Sequence, residues 1–114
     1  MASSSPEVDP AKYFGFKDLH GFKDFVIEVI AGAPDDFMEM DWLASSEQMN
    51  LERAFVGLRY GLDVAASEKG DTDVIASCRQ LVEGAYAEYQ AGRDLEGQRK
   101  LKEMDGLLSK LPSR

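Results

Sequence analysis

Residues 58–94 read LRYGLDVAASEKGDTDVIASCRQLVEGAYAEYQAGRD, and the break at Lys69-Gly70-Asp71 decides how the chain folds. Before the break, Phe55, Leu58, Leu62 and Ala65-Ala66 recur at three- and four-residue steps. After it, Val74, Ile75, Cys78, Leu81-Val82, Ala85, Tyr86 and Tyr89 do the same. That period lines apolar side chains along one face of an α-helix. Gly70 suits the left-handed position past a helix C-terminus, and Asp71 or Thr72 suits the cap of the next helix. So short a connection makes the two helices antiparallel neighbours.

Outward from the break, the first of these helices is predicted over about 46–68, with Met49, Ala54 or Arg53, and Phe55-Val56 on its buried side. Ser45 with Gln48 three residues on has capping-box spacing for its start. The second helix runs to about Ala91 and ends at Gly92. Asp94 is the expected cap of a last helix with Leu95, Leu101, Met104 and Leu107-Leu108 inside, closed by Leu111-Pro112 because the residue before Pro resists the α region. Upstream, a helix starts near Asp18, carries Leu19, Phe22, Val26, Val29 and Ile30 on one face, and stops at Gly32. Pro34-Asp35-Asp36 reads as the N-terminus of a short, kinked helix over 35–44, since carboxylates there favour the exposed N–H groups. Sustained period-two alternation is missing, so strands are not expected. The predicted fold is all-α, an up-and-down antiparallel bundle of about four main helices plus a short N-terminal or kinked segment. The Ser/Pro-rich residues 1–12 are expected to be flexible, and 13–114 to form one domain.

The length of 114 residues suits one domain with one core, and a hydrophobic share of 44% is that of a globular protein. The formal net charge of −8 disfavours nucleic acid and anionic membrane as partners, since both need a cationic surface. A basic protein remains a fitting partner. Residues 93–114 carry 6 Lys/Arg against 4 Asp/Glu, whereas 35–69 carry 3 against 8. This polarity reads either as charge matching between helices or as a working acidic face. Cys78 is alone, so there is neither an intrachain disulfide nor a Cys metal cluster, and its apolar neighbours make it a small buried hydrophobe. The first ten residues lack the features of a secretory signal, and no apolar run approaches the ~20 residues of a membrane span. The cytoplasm is the expected location.

The candidate binding segment is Pro34-Asp35-Asp36-Phe37-Met38-Glu39-Met40-Asp41-Trp42, which holds the one Trp of the chain. From Asp35 to Glu52 there are six acidic residues and no Lys or Arg. Asp35, Asp36, Glu39 and Asp41 would steer a basic partner, with Phe37, Met38 and Trp42 as anchors. Helical spacing puts Phe37, Met40 (or Asp41) and Ala44 on one side and Met38 and Trp42 on another, so one side is expected to be buried. Asp35 and Asp36 also have a local cause as helix-start residues. Tyr86 and Tyr89 share a face as further candidate anchors, or as core residues with hydroxyls at the rim. Gly57, Gly61 and Ala65 recur every four residues, which allows a close helix approach, within the chain or across a homodimer seam. His20 is the one histidine, and no patterned nucleophile or ligand set accompanies it. Asp36-x-x-Glu39 is a lone near-match to a di-metal motif, and the glycines form no phosphate loop. The reading therefore assigns no catalytic residue, no metal and no cofactor.

The segment Leu81–Gly92 resembles a tetratricopeptide hairpin over one repeat at most. Leu81 stands where a large aromatic is expected and Gly97 where Ala is expected, and no second copy follows at a 34-residue period. Ser46-Glu47-Gln48-Met49-Asn50-Leu51, the long helix after it, and Leu81–Arg93 with its Ala-Tyr and Ala-Gly-Arg elements resemble the small helical immunity proteins encoded beside interbacterial toxins. The likeness is to those paired with NAD-degrading effectors of type VI secretion, and it covers roughly residues 42–97. It implies a cytoplasmic, non-enzymatic inhibitor that covers a toxin's active site. It assigns no residue a role. The other expected classes are a secretion chaperone or helical adaptor and, more remotely, a metal-dependent nucleotide hydrolase.

Overall fold

The computed structural model describes residues 10–111 apart from Met38. Its helices are α1 (Pro10–Phe14), α2 (Leu19–Gly32), α3 (Leu51–Lys69), α4 (Asp73–Gln90) and α5 (Asp94–Leu108), with a 3₁₀ turn at Ser45–Glu47. No described residue lies in a strand. Pro10–Lys12, expected in the flexible N-terminal segment, belong to α1, and residues 1–9 lie outside the described residues.

Local chemistry fixes most of the helix ends. The Asp18 carboxylate accepts from Gly21 N at 2.9 Å, and Glu68 of α3 accepts from Leu19 N at 2.9 Å, so two orphan donors of α2 are satisfied. Asn50 Oδ1 accepts from Arg53 N at 2.8 Å and starts α3. Thr72, rather than Asp71, caps α4. Gly70, at φ 87°, ends α3 in the left-handed region that side chains avoid.

Four long helices close a ring: α2 packs on α3, α3 on α4, α4 on α5, and α5 back on α2. Their partners run in opposite senses. Phe25 meets Gly57 and Phe22 meets Gly61, while Leu19 reaches Glu68, so α2 descends as α3 climbs. Arg59 pairs with Glu83 and Asp63 with Arg79, which makes α3 and α4 antiparallel. Tyr89 lies on Gly97 and Glu88 near Lys100, which does the same for α4 and α5. The all-α up-and-down bundle is thus the fold. Its core is Leu19, Phe22, Val26, Val29, Ala54, Phe55, Leu58, Leu62, Ile75, Cys78, Val82, Leu101, Met104 and Leu108, all essentially without solvent contact. Burial pushes the Cys78 thiol up to about 11.

Several sequence expectations are corrected. No helix occupies 35–44 among the described residues: the chain turns at Ala33–Asp35 and again at Asp41-Trp42. Gln48 explains the local result. Its Oε1 accepts from Met40 N at 2.7 Å, and its Nε2 donates to Met40 O at 2.8 Å and to Leu43 O at 2.9 Å. A side chain has taken backbone groups that a helical ladder would use. Gln48 therefore does not serve a capping box for Ser45, and α3 starts at Leu51. Asp94 is the first residue of α5, not its cap, and Leu95 is exposed. On a helix whose inner face is Gly97, Leu101, Met104 and Leu108, Leu95 points the opposite way. Val56, expected inside, is exposed for the same geometric reason.

The stripe of small residues is filled within the chain. A Cβ at Gly57 would lie 2.6 Å from the Phe25 ring, and one at Gly61 would lie 1.9 Å from the Phe22 ring. Ala65 is fully buried. These positions are the seat of α2 on α3, so the homodimer seam through Gly57, Gly61 and Ala65 gives way to intrachain packing.

Candidate functional site

Helix α2 buries Leu19, Phe22, Phe25, Val26 and Val29, which leaves Asp24, Ile27, Glu28 and Ala31 on its outer face. Ile27 is 55% exposed there between carboxylates. Beyond Gly32 the chain folds back, with Ala33 N donating to Val29 O at 2.8 Å and Asp36 N to Gly32 O at 2.7 Å. Phe37 then lies over Gly32, where a Cβ would stand 2.7 Å from its ring. Gly32 is thus the seat of Phe37 as well as the helix end.

The result is a groove of about 340 Å³ lined by Phe25, Glu28, Val29, Ala31, Gly32, Asp36, Phe37, Met40 and Met49. Its floor is aromatic, aliphatic and thioether. Its charged side chains are two carboxylates, Glu28 and Asp36. Burial, and then the neighbouring charge of Asp24, raise the Glu28 carboxyl above the ordinary carboxylate range.

Gln48 holds one wall by fixing Met40, and Arg53 Nη1 donates to Gln48 O at 2.7 Å, which ties the loop to α3. On the other side, the Tyr13 hydroxyl donates to Glu47 O at 2.8 Å. Trp42 meets Tyr13 edge-on at 6.2 Å and remains 52% exposed.

The structure brings some of the expected site residues together. Asp35, Asp36, Glu39 and Asp41 are all exposed, and Asp36 reaches the groove. Phe37 and Met40 are half-buried while Asp41, Trp42 and Ala44 are exposed, so the expected side of Phe37, Met40 and Ala44 is kept only in part, and on a loop rather than a helix. Met38 lies outside the described residues. Tyr86 and Tyr89 stand apart, on α4. Tyr86 packs on Phe55 at 4.9 Å, and the Arg59 guanidinium lies 5.3 Å from its ring centre. Arg59 is itself held by Glu83 through bonds of 2.7 and 3.0 Å, so this face of Tyr86 is covered from within. Tyr89 is 5% exposed and seated on Gly97, which makes it a core residue rather than a surface anchor. Glu28 and Met49 line the groove without having been singled out as binders, and Ile27 stands exposed beside it on the outer face of α2. Ile27 did leave a trace in the sequence, as an apolar residue off the stripe of Leu19, Phe22, Val26 and Val29.

The described ion pairs, Arg59–Glu83, Asp63–Arg79, Glu88–Arg93, Glu96–Arg99 and Glu88–Lys100, all lie on α3, α4, α5 and the α4–α5 turn. The six carboxylates of 35–52 take part in none of them. Among the described residues, no three His, Cys, Asp or Glu side chains converge as a metal site would need, and no helix is long and apolar enough to cross a membrane. Comparison with known proteins found no matching family model, no matching curated protein and no matching solved structure.

Proposed function

We propose that this chain is a protein-binding module of the immunity or antitoxin type, a non-enzymatic inhibitor that acts in the cytoplasm by covering the active site of a toxin with a basic surface. One observation carries the reading. The described ion pairs tie Arg59, Arg79, Arg93, Arg99 and Lys100 to acidic neighbours on α3–α5, while Asp35, Asp36, Glu39 and Asp41 enter none of them and are exposed beside an apolar groove and a half-exposed Trp42. Exposed carboxylates outside any described ion pair raise the rate of encounter with a cationic surface, and buried apolar contacts then slow release. The adaptor or secretion-chaperone reading drew on a dimer seam that phenylalanines already fill.

The test is affinity capture by the tagged chain, followed by expression of the captured protein in a growth assay. Co-expression of the chain is expected to restore growth. Reversing Asp35, Glu39 and Asp41 to Lys is expected to slow association at low salt and to flatten its dependence on ionic strength. A captured protein that is harmless when expressed alone overturns the inhibitor reading. Unchanged association rates in the triple variant remove the steering role.

A further inference from the structure

The groove between α2 and the 33–50 segment says what kind of partner residue belongs in it. We propose that it receives a bulky apolar side chain of the partner protein, flanked by Lys or Arg, with the cation held between Glu28 and Asp36. The proposal rests on the protein-binding reading above and names the chemistry of what is bound.

The lining makes the choice. Phe25, Val29, Phe37 and the two methionines form a floor that gains by excluding water, and thioethers adapt to side chains of different shape. The polar side chains at the groove are carboxylates, which when ionised accept hydrogen bonds and donate none. An occupant must therefore bring donors, and a cation brings them with charge. The volume of about 340 Å³ falls at the small end of the roughly 300–1,000 Å³ typical of ligand pockets, so it suits one large side chain and its neighbours. Ile27 and Asp24 continue the same pairing of apolar and acidic groups along α2, so a segment of several residues can lie across them. Burial, and then the charge of Asp24, hold the Glu28 carboxyl high, and a guanidinium or ammonium beside it favours the ionised form. A second copy is a poor occupant, because a chain of net charge −8 meets its own acidic face.

The experiment uses the full chain with ¹³C-labelled methionine methyls and three synthetic peptides. The first carries Leu and Phe between Lys and Arg, the second carries them between Glu residues, and the third is basic with Ser in place of Leu and Phe. The first peptide is expected to shift the Met40 and Met49 methyls while Met104, which is wholly buried in the core, stays in place. The other two are expected to bind about tenfold more weakly or worse, a difference of about 1.4 kcal/mol or more. Ala31→Phe adds a ring at an exposed groove position and is expected to abolish the shifts with the helical circular dichroism unchanged. Equal binding of the acidic peptide, no movement of Met40 and Met49 at saturation, or a dimer that protects these methyls would each overturn the proposal. The captured partner separates the two ideas. If it binds the wild-type chain and the Ala31→Phe variant alike, the groove is not its contact while the inhibitor reading stands. If the basic apolar peptide fills the groove and the captured protein proves harmless, the groove stands and the inhibitor reading falls.

Discussion

At position 61 helix propensity and packing pull in opposite directions. Gly costs about 1 kcal/mol relative to Ala in a helix interior, so Gly61→Ala should stabilise α3 in isolation. In the bundle, the new Cβ would stand 1.9 Å from the Phe22 ring, which is itself without solvent contact and enclosed by neighbours. Overpacking of this kind costs roughly 1–3 kcal/mol. Gly61→Ala is therefore expected to lower the thermal midpoint, and Gly106→Ala, where the added methyl meets nothing within 4 Å, to raise it. A gain at both sites would mean that α2 and α3 stand farther apart than described. Tyr89 makes a second residue-scale case. Its hydroxyl is buried with no hydrogen-bond partner among the described residues, and an unsatisfied buried donor costs about 1–3 kcal/mol. Tyr89→Phe is expected to be neutral or stabilising in denaturant titrations, and a loss above about 1 kcal/mol would reveal a partner for the hydroxyl. The sequence already showed that Gly57, Gly61 and Ala65 form a surface for close approach. It did not show what approaches, because Phe22 and Phe25 lie more than thirty residues from the glycines they meet and no local pattern links the two.

The elements divide by how local their causes are. Asp18, Asn50 and Thr72 are cap residues acting within three positions, and the helices they start follow from propensity and period. Legibility failed where a distant group decided the outcome. Pro34-Asp35-Asp36 carries the local signature of a helix start, yet Gln48, eight residues beyond Met40, holds that backbone in a loop. Ser45 and Asn50 are both good caps by type, and it is Asn50 that caps α3 while Gln48 is bonded to the loop. Gln48→Ala removes three hydrogen bonds, each contributing about 0.5–1.5 kcal/mol net. It is expected to speed amide exchange at Met40 markedly while amides in α3, α4 and α5 keep their protection. Equal acceleration across the bundle would show that the loop and the helices open as one unit.

Across the whole molecule, the acidic and basic halves of the sequence sort into different places. Of the basic residues of 93–114, Arg93 and Lys100 lie beside Glu88 and Arg99 beside Glu96, whereas the acidic run through Glu52 faces outward. Composition revealed the imbalance, and only the three-dimensional arrangement separated matched charge from unmatched charge. The core can be probed as a unit through Cys78. Burial raises its thiol pKa, so the folded state holds the proton more tightly than the unfolded state does. That contribution is complete below the ordinary thiol range and is lost as the pH rises towards about 11. Iodoacetamide labelling at pH 8 is expected to be far slower in the native protein than in denaturant, and to follow global unfolding. Rapid labelling of the native chain would place Cys78 outside the core.

Trp42 lies on the loop and not among the helices, 52% exposed and touching Tyr13. The intrinsic fluorescence of this chain above 295 nm excitation thus reports on one edge of the molecule. A denaturation curve followed by tryptophan emission records detachment of the loop from α1, while ellipticity at 222 nm records loss of the bundle. The two midpoints are expected to coincide only if the groove wall and the core melt together. Their separation would measure how much of the binding edge is free to rearrange while the scaffold beneath it stays intact.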